Sequence, residues 1–205
     1  MDYRKHLRDI KLDLITNKIN LKISPPKIGG LFSFARPGNK IVKDLLKCGA
    51  VLTGSRALKC YEFDYGNNYK PILSRKPDDW DFIVDEKTLF KICDKYKFSD
   101  GIKKDPSGDY YVSIDSHLVR ITSSYGGETR VLKTNITLIC KDEPSTVETK
   151  SGRIANLSYI LEEKYKLSSN YYNISNGHVS QSGWSLSENK HDSDLKQIIT
   201  RISGF

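Results

Sequence analysis

The 205-residue chain predicts an α+β fold, a mixed β-sheet flanked by helices with a helical C-terminal region. Three observations carry that expectation. Some segments repeat apolar residues at helical spacing, others alternate apolar and polar residues, and breaks rich in Gly or Pro separate the two kinds.

In chain order, Leu7, Ile10, Leu14, Ile15 and Ile19 predict an amphipathic helix with a basic outer face over residues 3–19. Residues 24–38 hold Pro25-Pro26, Gly29-Gly30 and Pro37-Gly38 and predict an irregular connector. Asn39 is placed to cap a helix carrying Ile41, Val42, Leu45 and Leu46, which should end near Gly49. A short strand over residues 50–53 follows, then Gly54-Ser55-Arg56, a segment rich in Tyr and Asn, and a strand from Trp80 to Val84. Asp85 is placed to start a helix through Leu89, Ile92, Cys93 and Tyr96. Strands are expected over 110–121 and 131–140, a helix over 154–167, a polar loop over 168–189 and a closing helix over 192–202. These elements suggest an N-terminal helix and connector at 1–38, a sheet core at 39–150 and a helical C-terminal region with a long polar loop at 151–205.

Composition narrows the function classes. The chain is 38% hydrophobic and 28% charged, inside the globular range. No apolar leader or spanning segment opens the sequence, which implies a cytoplasmic protein without a membrane partner. Cys48, Cys60, Cys93 and Cys140 form no Cys-x-x-Cys unit, so zinc-knuckle and dithiol chemistry are not indicated. A formal net charge of +8 favours polyanionic or phosphorylated partners.

The chemistry concentrates in two short motifs. Asp79 and Asp81 flank Trp80 at the mouth of an apolar strand. Alternation turns both carboxylates to one side, about 6.6 Å apart at their backbones. Two like charges so close suit one or two hard divalent cations. Gly54-Ser55, directly after the strand Val51-Leu52-Thr53, offers a close backbone approach and N–H donors for phosphate oxygens, with Arg56 as an adjacent cation. Neither a Walker-type loop nor a Rossmann fingerprint occurs.

The order of strand, Thr53-Gly54-Ser55-Arg56, intervening segment and Asp79-Trp80-Asp81-Phe82-Ile83-Val84 resembles the polymerase-beta-type nucleotidyltransferase superfamily, including its small bacterial, phage and viral members. That resemblance implies a nucleotidyltransferase-like sheet, Gly54 and Ser55 on a nucleoside triphosphate, and Asp79 and Asp81 on two magnesium ions. It also implies a third carboxylate from a later strand. Asn135 stands where that acid is expected, and Asp115, on a neighbouring strand, is the substitute. Residues 61–75 lengthen the usual connection and read as an insertion flanking the site. The acceptor of the nucleotidyl group could be RNA, DNA or protein. A catalytically silent module that binds nucleotide or nucleic acid, and a basic RNA-binding protein that ignores both acids, are the alternatives. Lys190-His191-Asp192-Ser193-Asp194-Leu195 resembles an element in the helical tail of some members, although His191 and Asp194 read more simply as helix decoration; Lys164 and Lys166 suit a triphosphate or nucleic-acid backbone and a solvated helix face equally, and Trp184 suits base stacking or, more simply, a packing anchor.

Overall fold

The computed structural model describes residues 5, 7–10, 12, 21–28, 38–64, 68–77, 79–104, 108–122, 129–175 and 190–203, of which 115–122, 129–134, 169–175 and 203 are described by backbone alone. The chain forms two compact units, Pro25–Ala57 with Lys76–Ala155, and Met1–Ser24 with Leu58–Arg75 and Asn156–Phe205.

The first of these units is built on a seven-stranded mixed sheet. Its strands are β2 (Val51–Thr53), β5 (Asp79–Val84), β6 (Lys103–Lys104), β7 (Tyr110–Thr122), β8 (Thr129–Cys140), β9 (Thr146–Thr149) and β10 (Gly152–Ala155). They lie in the order β6-β7-β8-β5-β2-β10-β9, parallel at β8/β5 and β2/β10 and antiparallel elsewhere. The α+β class predicted from periodicity is therefore the class observed. The central strands are buried and correspondingly apolar: Leu52, Phe82, Ile114, Ile136, Leu138 and Ile154 are fully enclosed.

Two helices, α1 (Gly38–Lys47) and α3 (Glu86–Tyr96), flank this sheet. Helix α1 ends where Gly49 takes φ +84, as its sequence predicts. Asn39 is a correction, since the helix already begins at Gly38 and Asn39 lies buried within its first turn. Asp85 does cap α3, accepting a hydrogen bond from the Thr88 N–H at 2.6 Å. Asp44 of α1 receives hydrogen bonds from Lys95 and Tyr96, which tie the two helices together.

The other unit holds a three-stranded antiparallel sheet, β1 (Leu21–Ile23), β3 (Tyr61–Asp64) and β4 (Tyr69–Pro71), in the order β1-β3-β4. With it come α4 (Leu157–Ser175) and α5 (Lys190–Ser203). Residues 61–75, read as an insertion, contain β3 and β4, which pair with β1 in this second sheet. Leu7 and Ile10 are helical and buried as predicted, whereas residues 3, 4, 6, 11 and 13–19 of that expected helix lie outside the described residues.

Two boundaries move. Residues 152–155 are strand β10, because Ile154 pairs with Leu52 in parallel register, and the helix starts only after Asn156, whose Oδ1 accepts from the Tyr159 N–H at 2.8 Å. Residues 168–175, expected as loop, extend α4. The expected connector also contains a described stretch, 24–28, without regular structure, and its residues 29–37 lie outside the description, as do 176–189 with Trp184. Among the described residues no helix is long and apolar enough to cross a membrane, and all four cysteines are free.

Candidate active site

Strand β5 carries the acid pair as alternation requires. Trp80 and Phe82 are buried, with ring centroids 6.2 Å apart and planes within 4° of parallel, while Asp79 and Asp81 on the opposite face are partly exposed. Strand β2 pairs antiparallel with β5, and the partner of Asp81 is Thr53, the residue before Gly54. The bend after β2 is thereby delivered to the acidic end of β5.

How closely it is delivered can be read at Gly54. Its φ is +66, and a Cβ built on it would lie 2.3 Å from Oδ2 of Asp81. Glycine is needed here twice, for the left-handed backbone and for the room the Asp81 carboxylate occupies. Two residues 27 apart in sequence are in van der Waals contact because of one register. Gly54 begins α2 (Gly54–Leu58), a single helical turn where the sequence suggests a loop, and Ser55 within it is 5% exposed.

Arg56 braces the same strand. Its Nε donates to the backbone carbonyl of Asp79 at 2.8 Å, and its guanidinium carbon stands 4.1 Å from the centroid of the Trp80 ring. These contacts bind it to the backbone and to the Trp80 face of β5, the face opposite the two carboxylates.

On the other side of β5 the parallel partner of Asp79 is Asn135, and the antiparallel partner of Asn135 on β7 is Asp115. The backbones of Asp79, Asn135 and Asp115 form one row across three adjacent strands. The Oδ1 atom of Asn135 is shielded from solvent and has no hydrogen-bond partner among the described residues. A buried amide oxygen left without a donor costs roughly 1–3 kcal/mol, so the position carries a cost that a ligand could relieve. Asp115 is described by backbone alone, and among the described residues no cluster of three His, Cys, Asp or Glu side chains could hold a metal ion. Among the described side chains, Asp79 and Asp81 are the carboxylates at this end of the row.

The other unit contains a charged cluster that sequence reasoning placed on the surface. Asp194 of α5 is 2% exposed; Arg75 grips it with two hydrogen bonds of 2.7 Å, and Lys164 of α4 donates to it at 2.6 Å. Lys164, expected on a solvated face, is buried, whereas Lys166 is exposed and pairs with Glu162 and Glu163. Burial acts to raise the Asp194 pKa, but the Arg75 hydrogen bonds and the Lys164 charge outweigh it and hold the carboxyl below its ordinary value. The Lys164 ammonium is drawn down by its burial, against the pull of Asp194. Burial, with Lys164 and Lys190 nearby, lowers His191 to about 4. Only the helical spacing of Lys164, Leu161 and Leu157 in the sequence hinted that Lys164 faces a core.

Comparison with known proteins adds little beyond this geometry. A family model described as "Domain of unknown function (DUF7277)" matches residues 50–147, just under half of the chain. No curated protein matches. Two crystal structures from Helicobacter pylori are similar over 80% of this chain: JHP933, at 17% identity, 86% coverage and a TM-score of 0.35, and a protein described as a candidate nucleotidyltransferase, at 16% identity, 88% coverage and a TM-score of 0.36. Similarity at that level assigns neither family nor activity to this chain.

Proposed function

We propose that the chain is a metal-dependent nucleotidyltransferase that moves a nucleoside monophosphate from a nucleoside triphosphate to an acceptor hydroxyl and releases pyrophosphate. The observation that carries this reading is the contact between the Gly54 bend and the Asp81 carboxylate, closer than any side chain at position 54 would permit. A bend suited to phosphate oxygens and a pair of acids suited to a hard cation are useful side by side when one ligand, a metal-bound triphosphate, spans both.

Asp79 and Asp81 would hold the cation, Mg²⁺ or Mn²⁺, with the unsatisfied Oδ1 of Asn135 as a neutral oxygen in the same row. The residues present fit a hard ion, since all three offer oxygen. Such an ion, when bound, offsets charge on the phosphates as the leaving group departs. Gly54 and Ser55 would orient the triphosphate, Arg56 keeps the start of β5 in place, and Asp115, in register with Asn135 on β7, is the residue to test as third carboxylate. In phosphoryl transfer with a loose transition state, positioning and charge stabilisation supply most of the rate, which supports turnover by this set even with an amide in the row.

The test is pyrophosphate release with each nucleoside triphosphate, over a panel of RNA, DNA and protein acceptors, for the native chain and for Asp81→Asn. The variant should lose Mn²⁺ binding and turnover while its thermal unfolding stays unchanged. An unaltered rate in Asp81→Asn rules the reading out.

Asn135 itself favours one alternative. An amide in the middle of the acidic row can neither neutralise charge nor take a proton, as befits a catalytically silent module that binds nucleotide. Calorimetric binding of nucleotide without pyrophosphate release across the panel selects that alternative.

A further inference from the structure

At the end of the seven-stranded sheet opposite Gly54 and Asp81, where β2 begins and β9 turns into β10, lies a cleft of about 520 Å³. Lys43 and Lys47 of α1 line one side and Lys150 and Ser151 of the β9–β10 turn the other, with Pro26 and Ile28 as apolar wall. No acid lines it among the described residues, and the three lysines are exposed; Lys47 also feels the charge of Asp44, one turn back on the same helix and outside the cleft.

The convergence is built rather than incidental. Lys43 and Lys47 are four positions apart on one helix face, a row that Lys40 extends. Lys47 alone would be explained by the helix C-terminus, where a cation is favoured. Lys150 is not explained so, since it arrives from a turn about a hundred residues later. That turn is pressed against α1: Gly152 has φ +133, and a Cβ on it would stand 2.8 Å from Cδ2 of Leu46. Thr149 Oγ1 closes the turn through a 2.7 Å hydrogen bond to the Gly152 carbonyl. The third lysine is thus held beside the other two at a cost in mutual repulsion that an anion would relieve.

We infer that this cleft docks the phosphate backbone of single-stranded RNA. Lys43 and Lys47 lie about 6 Å apart along the helix axis, the scale of the step between successive phosphates of one strand. Three cations in a row with an apolar wall match a strand of phosphates with sugar or base faces between them. Ser151 lines the same cleft, and a serine hydroxyl is a partner that a ribose 2′-hydroxyl can use and deoxyribose cannot. Strand β2, three residues and about 10 Å long, separates this cleft from Gly54, so the docking does not rest on the activity proposed above.

Fluorescence anisotropy of the full chain with a labelled twelve-nucleotide single-stranded RNA, over a range of salt concentrations, tests this. Replacing all three lysines (Lys43→Gln, Lys47→Gln, Lys150→Gln) should weaken binding at least tenfold at low salt. It should also make the slope of log affinity against log salt shallower by about 2, three phosphate contacts at roughly 0.7 each. The single change Lys150→Gln should shift it by about 0.7, and serves if the triple variant does not fold. Lys103→Gln with Lys104→Gln, which removes charge from β6, should leave the slope as it was. An unchanged slope in the triple variant, or an equal loss from the β6 pair, overturns the cleft. Equal binding of DNA of the same sequence overturns the assignment to RNA.

Discussion

Asp194 and Asp81 are both acids set among apolar elements, and the two units treat them in opposite ways. Around Asp194 the fold supplies two cations within 2.7 Å and shuts out solvent, so the carboxylate is enclosed with its own counterions. Around Asp81 it supplies a glycine whose missing side chain leaves the carboxylate room, with a second acid two residues away on the same face. The first arrangement closes a structure, since a buried carboxylate with its cations in place has little use for anything further. The second keeps a partly exposed pair of like charges beside a bend, which suits a cation brought in from outside.

The largest effect that would break this contrast is expected at Gly54. Gly54→Ala adds a methyl where Asp81 Oδ2 sits and forces a side-chain-bearing residue into φ +66, a backbone cost of about 1–2 kcal/mol. The displaced carboxylate should lower nucleotidyl transfer by about 100-fold, as misplacement on the ångström scale does. Mn²⁺ affinity measured by calorimetry should fall with it. Native Mn²⁺ affinity in this variant would separate the bend from the acids.

Next comes Asp194. Asp194→Ala leaves Arg75 and Lys164 facing each other and should cost about 3–5 kcal/mol in urea unfolding. Asp81→Asn, by contrast, should leave the urea midpoint in place. Equal stability losses in the two variants would show that the acids play the same part.

The smallest effect is a pH dependence confined to the Asp194 unit. His191 is held at about 4, below its ordinary 6.5, so the folded state favours the neutral imidazole. Its contribution to stability is complete above pH 6.5 and declines as pH falls from there towards 4. Asp194, whose pKa is also lowered, loses its contribution only at more acid pH still. Melting temperatures between pH 7 and 4.5 should fall in the native chain and fall less in His191→Gln. Parallel curves would mean that His191 does not set this slope.

Much of the sheet was legible because its signals are local. Strand β5 shows its alternation within six residues, Asp85 sits at its helix N-terminus, and Gly49 marks a helix end. Strand β10 was not legible: Gly152–Ala155 is too short to show a period, and its apolar residues merge into the helical pattern that follows. What defines it is its pairing with β2. Lys164 was misread for the same reason, since a lysine at a core position becomes intelligible only when Asp194 is seen beside it.

The amino-acid order alone determined that Asp79 and Asp81 share one face of a strand and that a glycine-serine bend follows another strand, because both statements depend on backbone geometry over a few residues. Only the tertiary structure decided that the bend touches Asp81, that Arg56 turns to Trp80, that Asn135 completes a row with Asp79 and Asp115, and that Asp194 is enclosed by cations. Each of those depends on strand register or helix docking between residues far apart in the chain. Those alignments are selected by burial of the whole apolar surface and carry no mark in any short stretch of sequence.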